Sequence, residues 1–270
     1  MISEESPLSI SVVLYKSPFE QVAATLRALE MAVSNMRSGS PVKLFLIDND
    51  PQGGGYNACL SAAPQLLTIE YVAGHGNVGF GAGHNLVLRD ICAFHLILNP
   101  DADLAADSLV SALSFMQRHP NCGLLSPAAT WDDGKRQYLC KHYPSLFDLL
   151  LRGFAPKVVK RLFKARLDCY EMLGVTESEV VWDPPIISGC FMLFRRDVLQ
   201  RLGGFDPGYF LYFEDFDLSL RAARLTRLAY VPSVRIVHHG GHASRKGFKH
   251  VVMFARSALR FFRTHGWRFF

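Results

Sequence analysis

Four short apolar runs divide the first hundred residues of the chain, and each ends in acids, glycine or turn chemistry. They are "LSISVVLY" (Leu8 to Tyr15), "VKLFLIDND" from Val42, "LTIEYVA" from Leu67 and "FHLILNPDAD" from Phe94. Runs of this length and polarity read as buried strands. "FEQVAATLRALEMAVSNM" follows the first run, and its Val22, Leu26, Leu29 and Val33 recur at helical spacing. Strands separated by helices predict an α/β fold, Rossmann-like, with a mostly parallel central sheet flanked by helices. Ligands of such sheets bind beyond the carboxyl ends of the strands. Asp48, the glycine-rich stretch after Val72 and Asp101 all stand at such ends, so they are expected to converge on one crevice.

The length, 270 residues, suits one large α/β domain or two small ones, and 49% hydrophobic residues cover a sizeable core. A formal charge of +5 allows an anionic partner without requiring nucleic acid. The basic excess is local, in "KVVKRLFKAR" (Lys157 to Arg166) and in the tail from Arg245. Because these residues do not follow an aromatic-bearing groove, no nucleic-acid partner is expected. The six cysteines, Cys59, Cys92, Cys122, Cys140, Cys169 and Cys190, form no CxxC pair or zinc spacing and read as reduced core thiols. The acidic start "MISEESPLS" lacks a secretion pattern, and no stretch is apolar enough to span a bilayer, which predicts a cytoplasmic location.

Further along, "LAADSLVSALSFMQRHP" reads as a helix closed by Pro120. Trp131 to Pro185 reads as irregular, with a basic and partly helical centre. "ISGCFMLFRRDVLQRLGGFD" reads as a strand and short helix stopping at Gly203-Gly204, "FLYFEDFDLSLRAARL" as a helix starting at its acids, and "LAYVPSVRIVHH" as a strand. A basic amphipathic helix ends the chain.

Three groups could carry chemistry. In "NPDAD", Asp101 and Asp103 stand two apart, a spacing that in extended chain sends both carboxylates to one side, where they could share a divalent cation. The alternative is a turn followed by a helix cap at Asp103. In "YFEDFDLSLR", Glu214, Asp215 and Asp217 begin a helix behind bulky apolar residues. That setting suits helix capping, and also a desolvated general base. His238 and His239 close a strand and point to opposite faces, so one could reach a metal while a structural or solvated role stays open for the pair. The stretch "VAGHGNVGFGAGHN" contains Gly74-x-Gly76-x-x-Gly79, the spacing of a dinucleotide turn. It follows the third strand, however, and the first ends in "LYKSP" with no glycine. That placement weighs against an NAD-dependent oxidoreductase.

With these pieces in order, the chain resembles glycosyltransferase family 2, and more closely its rhamnosyltransferase-type members. The likeness runs from Leu8 to about Ser244 through "SISVVLY", "LIDND", "GNVGFGAGHN", "LILNPDAD", "SGCFMLFRRDVL", "GGFDPGYFLYFEDFDLSLR" and "HHGGHAS". The resemblance implies a GT-A fold over residues 1–244, a nucleotide-sugar donor (dTDP- or UDP-linked), Mg²⁺ or Mn²⁺, and transfer with inversion to a glycan or lipid-linked acceptor in bacterial cell-surface polysaccharide or lipopolysaccharide synthesis. L-rhamnose from dTDP-rhamnose is the first choice of donor. By the same resemblance Asp215 is the catalytic base and Glu214 its neighbour. Asp101, Asp103 and His238 hold the metal. Tyr15, Asp48, Asn77, Gly79, Gly81, Asn85 and Asp101 line the donor site. Lys16, Asp50 and Cys190 depart from the family's usual residues, and residues 131–185 fall where acceptor-side segments vary.

Residues 245–270, "KGFKHVVMFARSALRFFRTHGWRFF" from Lys246, place Phe248, Val251, Val252, Ala255, Leu259 and Phe262 on one helical face, expected to pack on the domain, with Phe254 and Phe261 on the opposite, outward side. Those two phenylalanines and the terminal Trp267, Phe269 and Phe270 suggest peripheral contact with the inner face of the cytoplasmic membrane, or alternatively a homodimer. A non-catalytic membrane- or glycan-binding protein on the same fold is the rival reading; it would not need both acidic clusters intact.

Overall fold

A computed structural model of the chain describes residues 8–36, 41–52, 56, 66–174, 178–240 and 247–270. The start "MISEESP", Cys59, the Gly241 to Ser244 end of the "HHGGHAS" motif, and the expected boundary at 244–245 lie outside the described residues.

In chain order the first half contains β1 (Leu8–Leu14), α1 (Phe19–Ser34), β2 (Val42–Asp48), β3 (Leu67–Val72), α2 (Phe80–Asn85), β4 (Phe94–Leu98), β5 (Ala102–Leu104), α3 (Ser108–Arg118) and β6 (Cys122–Thr130). Then come β7 (Arg136–Gln137), β8 (Cys140–Lys141), α4 (Leu146–Phe154), α5 (Lys157–Leu162), α6 (Lys164–Tyr170), β9 (Val181–Trp182) and β10 (Ile186–Ile187). The chain closes with β11 (Phe191–Arg195), α7 (Arg196–Leu202), α8 (Glu214–Ala222), β12 (Arg227–His238) and α9 (Gly247–His265).

One sheet has the order β3-β2-β1-β4-β11-β6-β12-β5. β3, β2, β1 and β4 run parallel, as do β6 and β12, whereas β11 is antiparallel to β4 and β6, and β5 to β12. Every residue of β1 is buried because both faces are covered. Val22, Leu26, Leu29 and Val33 of α1 join Leu8, Ile10 and Val12 on one side, while Val13, Phe45, Ile47 and Val87 pack on the other. The two polar residues of this strand are paired within the core. Ser9 Oγ lies 2.9 Å from His95 Nδ1, and Ser11 Oγ lies 2.8 Å from His95 Nε2 and 2.7 Å from His84 Nδ1. Burial pushes His95 down to about 3 and His84 well below the ordinary histidine range, so both are neutral.

The described part of residues 131–185 is more ordered than the sequence suggests. β7 extends β6 and β9 pairs with β12, while α4 to α6 form the basic centre. Asp103 is not a helix cap: it lies within β5, and the next helix begins at Ser108 behind Asp107. Of the described cysteines, Cys122, Cys140 and Cys190 are buried free thiols, but Cys169 is exposed, so the core reading fails there.

The expected faces of the C-terminal helix are reversed. Phe261 is fully buried, and Phe254 packs with it among Phe213, Phe216 and Leu220, whereas Phe248 is 81% exposed. Val251, Val252 and Leu259 are also exposed. Phe262 is buried beside Phe261, so the buried seam is Phe254, Ala258, Phe261 and Phe262. Aromatic area decided the choice: the seam that carries the phenylalanines removes more apolar surface from water than the valine face does. Among the described residues no helix is long and apolar enough to cross a membrane.

Candidate active site

The acids at the start of α8 sit on unusual backbone. Tyr212 and Phe213 both adopt left-handed conformations, with φ 72° and 66°, and this turn aims the helix N-terminus inward. Such backbone costs roughly 1–3 kcal/mol per residue and persists only where surrounding contacts hold it. Here the C-terminal helix supplies them. Tyr212 Oη lies 2.9 Å from His250 Nδ1, and Ser257 Oγ donates to Leu211 O at 2.8 Å.

Asp215 Oδ2 accepts the Gly189 N–H at 2.9 Å, and its Oδ1 accepts the Phe216 N–H at 3.0 Å. Gly189 arrives there because β10, paired with β8, leads directly into it, and Ser219 Oγ of α8 ties Ile187 N in place at 3.0 Å. Burial raises the Asp215 carboxyl, opposed by those two N–H donors and by the Lys141 charge. Glu214 is buried more harshly: its Oε2 has no partner, and burial, followed by the Asp215 charge, pushes it up to about 8. Two like charges so close do not both ionise at neutral pH. The proton stays on Glu214, which lacks side-chain donors, and Asp215 carries the charge. Of the pair, Asp215 is the member that accepts an N–H of the first turn, from Phe216, whereas Glu214 Oε2 is buried without a partner. Asp217, the third acid, is structural: it pairs with Arg221 at 2.7 Å and with His265 at 2.8 Å.

Across the sheet edge, β12 ends against β5, with His238 opposite Ala102. Each histidine takes one acid of "DAD". His238 Nε2 lies 3.3 Å from Asp101 Oδ1, and His239 Nε2 lies 2.9 Å from Asp103 Oδ2. Asp103 Oδ1 also accepts from Thr25 at 3.3 Å, and His239 Nδ1 bonds Asp132. His238 Nδ1 lies 2.9 Å from Gln137 Oε1, a pure acceptor at that atom, so the imidazole proton sits on Nδ1 and the Nε2 lone pair faces Asp101 and Asn99. Asp101 Oδ1 is buried without a hydrogen-bond donor. Burial raises the Asp101 carboxyl, but His238 and Asn99 bring it below the usual carboxylate range, and Asn99 Nδ2 also lies 3.3 Å from His238 Nε2. An ionised carboxylate beside an imidazole nitrogen is a donor pair that a cation could use. Gly240 keeps that place open, since a Cβ there would stand 2.5 Å from Asp101 Oδ2 and 2.8 Å from His238 Nε2. Among the described residues, no group of three or more His, Cys, Asp or Glu side chains is placed so as to hold a metal ion, and Asp103 is turned to His239 and Thr25.

The other expected donor-side residues are held largely by contacts within the chain. Asp48 is buried, with Oδ1 accepting from Asp50 N at 2.9 Å and Oδ2 from Tyr71 Oη at 2.5 Å. Asn77 Oδ1 accepts from Gly79 N at 3.1 Å. Gly79, at φ 93°, lies against Phe210, whose carbonyl oxygen a Cβ would meet at 2.3 Å. Asn85 is spent on the chain itself: Nδ2 donates to Phe205 O at 2.8 Å and Oδ1 accepts from Phe205 N at 2.9 Å. Gly81 packs against the Phe205 ring. The "GNVGFGAGHN" stretch thus holds the 205–210 segment by close backbone approach. Tyr15 is about half exposed at the end of β1.

Sequence reasoning missed two residues. Asn49 knits the loop from inside, donating to Gly79 O at 2.9 Å while its Oδ1 lies 2.9 Å from His75 Nε2. It stands inside "LIDND", so the motif held it unread. Lys141 is buried beside the acid pair, pushed down to about 8 by burial and then by Arg152, and donates to Tyr138 O at 3.1 Å. A single lysine in "CKHY" carries no pattern that would have marked it.

No protein-family model matches the chain. Over 280 residues, 96% of this chain and 86% of the relative, it is 28% identical to the N-acetylglucosaminyl-diphospho-decaprenol L-rhamnosyltransferase of Mycobacterium tuberculosis. It is 26% identical to rhamnosyltransferase WbbL of Escherichia coli over 67% of each chain. Among solved structures, GalNAc-T7 with UDP, GalNAc and Mn²⁺ superposes with a TM-score of 0.61 at 13% identity, covering 86% of this chain and 43% of that one. The Pyrobaculum calidifontis mannosyltransferase PcManGT, in complex with GDP-Man and Mn²⁺, superposes with a TM-score of 0.58 at 18% identity, covering 95% and 65%. The chain therefore spans less than half of the first structure and just under two thirds of the second. With rhamnosyltransferase relatives along nearly its whole length and the same architecture in solved sugar-transfer enzymes, this chain is a glycosyltransferase of the GT-A fold.

Proposed function

We propose that the protein transfers L-rhamnose from dTDP-rhamnose, with inversion, to a hydroxyl of a lipid-linked glycan at the inner face of the cytoplasmic membrane. The observation that carries the reading is the divided acid pair at the start of α8. A protonated Glu214 leaves Asp215 as the ionised carboxylate of the pair, held by two backbone N–H groups. The choice of rhamnose and of a lipid-linked acceptor is supported by the names of the relatives, one of which acts on N-acetylglucosaminyl-diphospho-decaprenol.

In this mechanism Asp215 takes the proton of the acceptor hydroxyl as that oxygen attacks the sugar carbon from the face opposite the leaving diphosphate. Burial favours the step, because a desolvated carboxylate gains more from accepting a proton than an exposed one does. The Gly189 and Phe216 N–H groups fix its direction. Asp101 and His238 would hold Mg²⁺ or Mn²⁺, which supplies positive charge for the departing diphosphate. Asp103, through Thr25 and His239, keeps the β5–β12 corner in register. Tyr15, Asp48, Asn77, Gly79, Gly81 and Asn85 shape the donor wall, and residues 131–185 serve the acceptor side. The 1–244 region is the transfer domain, with 245–270 as its C-terminal element.

The test is a panel of nucleotide sugars incubated with full-length protein and Mg²⁺ or Mn²⁺, scoring released nucleoside diphosphate with and without EDTA. Metal-dependent release from dTDP-rhamnose is the expected result. Release from a different sugar nucleotide alone replaces the donor, and release unaffected by EDTA removes the metal.

A further inference from the structure

The short helix α5 has no role in the core. None of its six residues is buried. Val158 is 81% exposed and Leu162 80%, four positions apart and therefore on one face. Phe154, the last residue of α4 and three positions before α5, is 66% exposed, and Leu150 of α4 is half exposed. Apolar side chains this prominent, gathered on neighbouring short helices, form a patch that folding does not explain.

The charge around this ridge has one sign. From Leu149 to Leu167 there are six Lys and Arg residues and no Asp or Glu. Arg152, Lys164 and Arg166 are committed to Glu171, Asp168 and Asp148. Among the described residues, Lys157, Lys160 and Arg161, on α5 itself, have no carboxylate partner. The chain terminus joins the same surface. Phe147 N donates to Phe269 O at 3.2 Å, the Phe270 ring lies 5.0 Å from the Phe147 ring, and the Arg166 guanidinium lies 4.1 Å from the Phe270 ring. Phe269 and Phe270 are both exposed.

We infer that α5, with Phe154 and the terminal Phe270, is a docking surface for an anionic lipid bilayer. Exposed apolar side chains beside cations that have no carboxylate partner, Lys160 donating only to the Arg152 carbonyl, match the interfacial region of such a membrane, where the side chains enter the acyl boundary and the ammonium and guanidinium groups meet lipid phosphates. A second copy of this chain is disfavoured as occupant, because a self-complementary contact would set Lys157, Lys160 and Arg161 against their own counterparts. The surface stands on these exposures alone; only its bearing on a lipid-linked acceptor rests on the function proposed above. That bearing is direct, since Leu149 on the inner side of α4 shares a cluster with Phe213, the residue before Glu214.

Flotation of the full-length protein with phosphatidylcholine vesicles, with and without phosphatidylglycerol, tests the inference without donor, metal or turnover. The protein should float with the anionic vesicles and remain behind with neutral ones. Val158→Ser/Leu162→Ser and Lys157→Gln/Arg161→Gln should each lower partitioning by about tenfold or more, as one basic residue near an anionic surface is worth roughly fivefold. Phe248→Ser/Val252→Ser, on the outer face of α9, should float as the parent does. Circular dichroism and melting of the α5 variants should match the parent, because that helix buries nothing. The inference is overturned if the α5 variants float normally, if only the α9 variant detaches, or if no anionic vesicle binds. It is equally overturned if Leu162 instead governs a concentration-dependent dimer in sedimentation. Loss of flotation with sugar release intact leaves the transferase reading standing, and the converse leaves the surface standing.

Discussion

His265 and Asp217 meet across 2.8 Å with both side chains almost wholly buried, although 48 positions separate them. The contact joins the end of the C-terminal helix to the helix that opens with Glu214 and Asp215. Asp217 also takes Arg221, whose guanidinium donates to Leu202 O at 3.0 Å and Gly204 O at 2.9 Å. One buried carboxylate therefore ties together α7, α8 and α9. The terminal helix is part of the support of the acid pair as well as an outer surface.

Removing the His265 imidazole leaves the Asp217 oxygen buried with one partner fewer, at a cost of about 1–3 kcal/mol. His265→Ala should therefore lower the melting temperature. Truncation before Gly247 should go further, because it also removes Ser257 from Leu211 and His250 from Tyr212 and so frees the left-handed turn. The truncated protein should lose sugar transfer even to a water-soluble acceptor. Full-rate turnover of such an acceptor by the truncated chain would show that the helix has no part in holding the acids.

Asp215→Asn preserves shape and removes charge. If Asp215 is the base, kcat should drop by about 10²- to 10⁴-fold while donor affinity persists. Both Asp215 oxygens accept a backbone N–H, so the asparagine amide turns its NH₂ toward one of those donors and the variant should melt somewhat lower, by about 1–3 kcal/mol of stability. A merely structural acid would show the same lower melting with ordinary turnover, so the loss of kcat is the deciding reading. Initial rates, read beside calorimetric melting of the same preparations, separate the two.

Glu214 gives the fold a pH dependence of definite sign. Its folded value stands near 8 against 4.5 in the unfolded chain, so its contribution to stability is complete below about 4.5 and is lost as pH rises through about 8. Glu214→Gln cannot ionise. Urea unfolding of the parent should therefore weaken between about pH 5 and pH 8 relative to the variant, by a few kcal/mol at most, and the variant should be the more stable of the two above pH 8. Parallel curves for the two proteins across that range would mean that Glu214 is ionised in the fold.

His238 and Asp101 predict the behaviour of a cation. Mn²⁺ binding, followed by electron paramagnetic resonance of the free ion, should weaken by at least an order of magnitude in His238→Ala, and by about 10- to 100-fold in Gln137→Ala, which loses the acceptor that orients the imidazole. Asp103→Asn should affect binding less, since its carboxylate is already held by Thr25 and His239. Equal weakening by Asp103→Asn and His238→Ala would place both acids on the ion.

What the sequence made legible follows from how local each signal is. The strands at Leu8, Val42, Leu67 and Phe94 and the helix from Phe19 are marked by residues inside each element, and all five stand where the apolar pattern puts them. The helix starting at Glu214 was legible for the same reason. The reversed face of the C-terminal helix was not: it has apolar residues on both sides, and only the partner, the aromatic cluster around Phe213, decides which is buried. Pairing of His238 with Asp101 and of His239 with Asp103 depends on β12 meeting β5, with His239 and Asp103 separated by 136 positions, which no spacing encodes. The β8–β10 pairing brings the Lys141 charge near enough to lower the Asp215 carboxyl, a relation equally invisible in sequence.

The glycine-rich stretch offers the sharpest internal contrast. Gly74 and Gly79 both belong to the Gly74-x-Gly76-x-x-Gly79 spacing, and both have positive φ, 87° and 93°. A Cβ on Gly74 would meet nothing within 4 Å, so Gly74→Ala should cost only the backbone term, about 1–2 kcal/mol. At Gly79 the same methyl would stand 2.3 Å from the Phe210 carbonyl oxygen, which accepts from Phe80 N at 3.2 Å. Backbone cannot yield as a side chain can, so steric strain adds to the backbone term, giving about 2–4 kcal/mol for Gly79→Ala. Because Phe210 lies three residues before the strained Phe213 turn, the Gly79 variant should also lose sugar transfer out of proportion to its stability, while Gly74→Ala keeps it. Chemical unfolding and initial rates on both variants decide the matter: equal losses at the two positions would mean that the glycines serve a bound phosphate rather than the packing of one loop on another.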